Sequence, residues 1–204
     1  MIGPSKSEDP LEALWQKADD AAQREDFRGV LFVLRSLADK GIWQANARIG
    51  EIYEAGAKGV AKDTREALKW YRKAVFEGDD PIGHLGLGRA YFEGKHTDRD
   101  FLKAQMHFQN AYSAKIPQAA LYLGIIHYSG AGVVTDVSKA ADYFKVAADA
   151  SYFLAYGYLA RIALSEGKIL KGLKLFFQGW RAMIKISKKD PNDPRLLGIE
   201  DRHN

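Results

Sequence analysis

The side chains in this chain best suited to chemistry are its histidines and carboxylates, and their spacing argues against a catalytic or metal centre. The five histidines are His84, His96, His107, His127 and His203. No two of them stand one helical turn apart with a third ligand nearby, the arrangement that would hold zinc. With no cysteine in the sequence, a thiolate metal site, a disulfide framework and a cysteine nucleophile are all removed. Gly83, Gly86 and Gly88 resemble a phosphate loop in outline, but they follow no strand pattern and do not match the dinucleotide fingerprint. They read as points of close helix packing. A Gly-x-Ser-x-Gly elbow and a P-loop are both absent. The carboxylates fall mostly on capping or exposed positions. The expectation is a chain that is not an enzyme and needs no metal or cofactor.

The elements that position these residues repeat. Gly50, Gly88 and Gly124 stand 38 and 36 residues apart, and Asp63, Asp100 and Asp136 stand 37 and 36 apart. Around them recur Tyr53, Tyr91 and His127, then Gly56, Gly94 and Gly130, then the pairs Trp70-Tyr71, His107-Phe108 and Tyr143-Phe144. Repeats at 43–80, 81–116 and 117–152 follow from this period. Each reads as two helices. The first ends on a glycine that takes the left-handed conformation cheaply, and the second starts at an aspartate N-cap. Glu66, three residues after Asp63, suggests a capping box. Degenerate pairs flank the array at 11–42 and 153–187, leaving 1–10 and 188–204 as loose ends. Helix pairs of this kind bury both faces only by stacking. The predicted fold class is all-α, a solenoid of about five helix pairs in one domain.

The third copy carries Leu123-Gly124, Gly130, Gly132-Val133, Asp136, Lys139-Ala140, Tyr143-Phe144 and Ala147-Ala148. This pattern resembles the SEL-one-like repeat, a relative of the tetratricopeptide repeat. His127 stands where that family usually has tyrosine, and the second copy lacks the Gly-Val turn. The resemblance implies a right-handed α-α superhelix that acts as an adaptor or scaffold for a protein or peptide. An immunity or inhibitor protein that occludes a toxin or enzyme is the alternative. The repeat brings no family-wide catalytic residues, and the absence of cysteine sets this chain apart from cysteine-bridged secreted members.

Binding must then come from surface. In related solenoids the first helices line the concave side. Placed on that face, Arg48, Glu51, Arg89 and Glu93 form the polar end of an expected groove. Tyr122, Ile125, Tyr158 and Arg161 continue it, and Tyr and Arg are the types that anchor interfaces. The competing assignment packs Tyr122 and Tyr158 into neighbouring repeats. The last helix is unusual in another way, since 168–189 holds seven Lys/Arg and no Asp/Glu. On a wheel Ile169, Leu170, Leu173, Phe176, Phe177, Trp180, Met183 and Ile184 share one broad face, expected to cap the solenoid. Leu175 and Ile186 lie to the side of it. Leu175, Trp180 and Ile186 are candidate contacts for a partner or for a homodimer, which stays an open alternative; a membrane surface is not an expected partner.

The formal net charge of +4 is weak over 204 residues, and the expected groove mixes both signs. Nucleic acid is therefore not an expected partner. No uncharged apolar run approaches the roughly 18–20 residues of a bilayer-spanning helix. The first residues lack the apolar core of a signal peptide. The expected location is cytoplasmic, or periplasmic if a leader has been removed.

Overall fold

A computed structural model describes residues 9–191 and 193–196. Every element among these residues is helical, apart from an isolated bridge between Ala57 and Val60. The chain divides between Arg99 and Asp100 into two compact units, a boundary that falls inside the second repeat. The first unit holds α1 (Pro10–Gln23), α2 (Phe27–Asp39), α3 (Gln44–Ala55), α4 (Thr64–Gly78) and α5 (Pro81–Glu93). The second holds α6 (Phe101–Ser113), α7 (Pro117–Ser129), α8 (Val137–Asp149), α9 (Phe153–Ser165) and α10 (Ile169–Lys189), then a 3-10 turn at Pro194–Leu196. Ordered structure reaches further at both ends than the sequence suggested. Asp9 caps α1 through the Leu11 amide at 3.0 Å, with Pro10 in the first turn, where its missing N–H costs nothing. Beyond α10, Arg195 grips Asp193 through two bonds of 2.8 and 2.5 Å. The rest of the expected loose ends, 1–8, 192 and 197–204, lies outside the described residues.

Aspartates start most of the second helices. Asp63 accepts from the amides of Arg65 and Glu66 at 3.1 and 2.9 Å, and Asp100 and Asp136 accept from Lys103 and Lys139, each at 2.9 Å. These bonds satisfy amides that have no partner within the helix. The cap amides of Asp63 and Asp136 donate to the carbonyls of Tyr53 and His127 at 2.8 and 2.9 Å, tying each second helix to the first. The capping box suggested by Glu66 does not form. Its carboxylate instead accepts from Trp70 Nε1 at 3.1 Å and Lys69 Nζ at 2.8 Å.

In α4, α6 and α8 one aromatic from the second helix organises the core. The Tyr71 ring fills space left by two glycines, since a Cβ at Gly50 would lie 2.6 Å from it and one at Gly86 only 2.3 Å. In unit 2 Phe108 stacks on Tyr122, with ring centres 4.5 Å apart, and Phe144 stacks on Tyr158 at 4.6 Å. Both Phe rings are fully buried. Such stacks add directional attraction to the apolar area they bury. As a result α7 has no free face, and nine consecutive residues from Ala119 to His127 are buried.

Candidate functional site

The residues expected to line one groove meet different fates. Arg48 on α3 is exposed and turns back onto α1, with its guanidinium 4.8 Å from the Trp15 ring centre and 3.8 Å from Asp19. Glu93, near the end of α5, pairs with Lys95 at 2.6 Å. Tyr122 and Ile125 are buried and cannot offer a side chain to a partner. Tyr158 is half-buried between Phe144 and Tyr128. The cause is the same for both tyrosines: the large ring on the preceding second helix needs a flat partner, and the next first helix supplies it. The apolar end expected for the groove is therefore core. Arg161 stays exposed on α9.

Within unit 1 the structure does bring charged residues together. Arg89 on α5 donates from Nη2 to Glu54 Oε2 on α3, and the Tyr71 hydroxyl of α4 donates to the same oxygen at 2.7 Å. These three residues line a cleft with Lys62, Thr64 and Glu93. Burial pushes the Tyr71 phenol well above its ordinary range, and the Glu54 carboxylate adds to the effect against the opposing Arg89. The hydroxyl is thus held protonated as a donor. Glu51 sits one turn before Glu54 on the same helix. It is exposed to water on one side, while protein around it removes part of its solvent shell. That desolvation raises its pKa; Arg89 opposes the shift, and Glu54 and Asp80 reinforce it.

Glu54 and Tyr71 are the members of this cluster absent from the expected groove. A signal existed for Glu54, because it stands three residues after Glu51 and 35 before Arg89. That spacing is close to one repeat, and it places the two side chains on adjacent first helices.

In α10 the packing runs opposite to expectation. Gly172, Gly179 and Ile186, each seven residues apart, are its buried positions, and Leu175 is half-buried. A Cβ at Gly172 would lie 2.7 Å from Leu164 Cγ, and one at Gly179 would lie 2.7 Å from Tyr156 Cβ, so the backbone of α10 rests directly on α9. Ile186 and Leu175 thus sit on the packed side, where the chain itself occupies them. Of the three candidate contact residues only Trp180 is exposed.

Comparison with known proteins identifies the array. The Sel1 repeat profile matches residues 43–78, 81–115 and 117–152, just over half of the chain. The chain belongs to the Sel1 repeat family. Among curated relatives, an Arabidopsis thaliana ERAD-associated E3 ubiquitin-protein ligase component, HRD3B, is 32% identical over 140 residues, covering 68% of this chain and 20% of that protein. The uncharacterized Neisseria meningitidis protein NMB1327 is 32% identical over 123 residues, covering 60% of this chain and 25% of the other. This chain thus matches only a fifth to a quarter of the length of these relatives. A Sel1 repeat protein from Oxalobacter formigenes superposes with a TM-score of 0.69 at 22% identity, over 93% of this chain and 87% of that one. The Pseudomonas aeruginosa immunity protein Pa5087 superposes with a TM-score of 0.52 at 22% identity, over 86% of this chain and 67% of its own. The fold is the all-α Sel1 solenoid, which typically serves as a protein-interaction scaffold.

Proposed function

We propose that this Sel1 solenoid is a non-catalytic adaptor that holds a segment of another protein against the cleft of unit 1. The observation that carries the reading is the cluster of Glu51, Glu54, Tyr71 and Arg89. The hydrogen bonds among Glu54, Tyr71 and Arg89 fix those side chains before any partner arrives. A preformed polar site loses little side-chain freedom on binding. Glu51 is the exposed member, one turn before Glu54, and burial raises its carboxyl pKa against the opposing Arg89 charge. A Lys or Arg side chain from the partner, placed beside Glu51, would pair with this exposed carboxylate. The segment is therefore expected to be basic at the point where it crosses α3.

Photo-crosslinking tests this. A benzophenone amino acid at position 51 should capture the partner, while one at the exposed Phe76 on α4 should not. Glu51→Gln should weaken binding of the captured partner by about tenfold, the scale of one partly desolvated charge pair. Affinity unchanged by Glu51→Gln would sink the assignment. The immunity or inhibitor reading is supported by the fold likeness to Pa5087 and to the Pseudomonas aeruginosa immunity protein PA5088, as analogy of fold alone. An inhibitor abolishes its partner's activity on binding, and an adaptor leaves it intact.

A further inference from the structure

Four times along the chain a helix carries a small residue, an aromatic four positions on, and a second small residue three beyond. These are Ala67-Tyr71-Ala74, Ala104-Phe108-Ala111, Ala140-Phe144-Ala147 and Gly172-Phe176-Gly179. The first three aromatics are buried, but Phe176 is 59% exposed. Around it Ile169, Leu170, Leu173, Phe177 and Trp180 are exposed as well, Leu170 to 85%. Together these six side chains make one exposed apolar face along α10, the kind of surface that marks an interaction site. The packed seam of Gly172, Gly179 and Ile186 occupies a different side of α10, so nothing within the described residues covers this face.

Alignment of the fourth pattern with the third shows how α10 departs from an ordinary second helix. Where α8 presents Ser138 and Lys145 to water, α10 has Leu170 and Phe177; where α8 presents Asp142 and Asp149, α10 has Lys174 and Arg181. A following repeat helix would need only the Phe176 slot and would leave Leu170 and Phe177 in water. A second copy docked antiparallel fits poorly too. In a two-fold antiparallel pair of α10 helices, the flanks carrying Lys174, Arg181 and Lys185 fall on the same side and repel. A surface that is broad, apolar beneath and negative at its edge satisfies every one of these changes. Amphipathic helices with Trp, Phe and Leu on one face and Lys and Arg on the other lie in the plane of such an interface.

We propose that the outward face of α10 docks on an anionic lipid bilayer. The helix lies flat, with Leu170, Leu173, Phe176, Phe177 and Trp180 at the acyl boundary and Lys174, Arg181 and Lys185 among the phosphates. It lies on the membrane and does not cross it, since no helix among the described residues is long and apolar enough to span. This role is independent of the cleft in unit 1.

Vesicle flotation of the full chain provides the test. The protein should float with vesicles of phosphatidylcholine and phosphatidylglycerol, stay behind with phosphatidylcholine alone, and be partly released by salt. The Trp180 contribution to emission, read as wild type minus Trp180→Phe, should shift to the blue on binding. Phe177→Glu with Trp180→Glu should abolish flotation while far-UV circular dichroism and melting stay unchanged, because both side chains are exposed. Lys174→Gln with Arg181→Gln should weaken binding about thirtyfold, at roughly 1 kcal/mol per cation near an anionic surface. Absence of flotation with the anionic vesicles overturns the proposal, as does a double glutamate variant that floats like wild type. A dimer, or a complex with a protein helix, that is lost on Trp180→Glu without vesicle binding assigns the face elsewhere and overturns it as well.

Discussion

At the scale of single residues, the buried polar groups divide by whether the fold has given them partners. Tyr71 donates its hydroxyl hydrogen bond to Glu54, whereas Asn46, fully buried on α3, donates from Nδ2 to Glu77 at 2.8 Å but has no partner for its Oδ1 among the described residues. His127 is less well served. It is buried on α7 and stacks against Tyr143 with ring centres 5.8 Å apart, while its Nδ1 has no hydrogen-bond partner among the described residues. The charged groups near it are Lys139 and Asp136. Burial lowers its pKa, Lys139 lowers it further, and Asp136 opposes both. A histidine whose folded pKa lies below its unfolded one favours the neutral form. Its stabilising contribution is complete above the unfolded value near 6.5 and is lost as pH falls from there through the folded pKa. The same slot holds Tyr53 and Tyr91 in the other repeats, so His127→Tyr should fit. The variant should lose less melting temperature than wild type between about pH 7.5 and about pH 5. Parallel curves for the two proteins would show that His127 does not sense pH.

At the scale of elements, close approach decides which helix face is buried, and this was the level least legible from sequence. A wheel weighs side chains by hydrophobicity, so it assigned the strongly apolar face of α10 to the core. The seam that actually packs is marked by Gly172 and Gly179, which carry no hydrophobic weight but let backbone rest on backbone. Likewise Tyr122 and Ile125 lie opposite the expected core stripe of a lone helix pair, yet α7 is packed on every side and has no outer face to give them. Glycines therefore carry more information than the apolar stripes. Gly86 shows how much depends on one of them, because a methyl group there would enter the Tyr71 ring at 2.3 Å. In an open helix Gly→Ala is stabilising by about 1 kcal/mol. Here the clash with a ring buried between α3 and α5 should reverse the sign. Gly86→Ala is expected to destabilise the chain by about 1–3 kcal/mol, as overpacking of a filled core does. Denaturant unfolding measures it, and a gain in stability would mean the ring has room to move.

At the scale of the whole molecule, the fold was legible because a period is a global property that survives local ambiguity. Gly50, Gly88 and Gly124 with Asp63, Asp100 and Asp136 placed the repeats to within a few residues of the spans the Sel1 profile matches. The candidate cleft was not legible in the same way. It depends on which side chains neighbouring helices leave uncovered, as with Arg48 drawn onto Trp15 and Asp19. The same architecture bears on how damage spreads. In a repeat array each helix pair is stabilised by itself and by its neighbours, so stability is close to a sum of local terms. Phe144 contributes to the contact of α8 with α7, through Gly124, and with α9, through Tyr158. Phe144→Ala should cost about 3–5 kcal/mol there, by lost burial and the cavity left behind. The loss should be largest in unit 2, where Gly124, Tyr128 and Tyr158, which pack against that ring, all lie. Hydrogen exchange followed segment by segment reads this directly. Amides of α7, α8 and α9 should exchange faster in the variant, while those of α1 and α2 keep their wild-type rates. Equal acceleration along the whole chain would mean that the two units unfold as one, and that the local account of this solenoid is wrong.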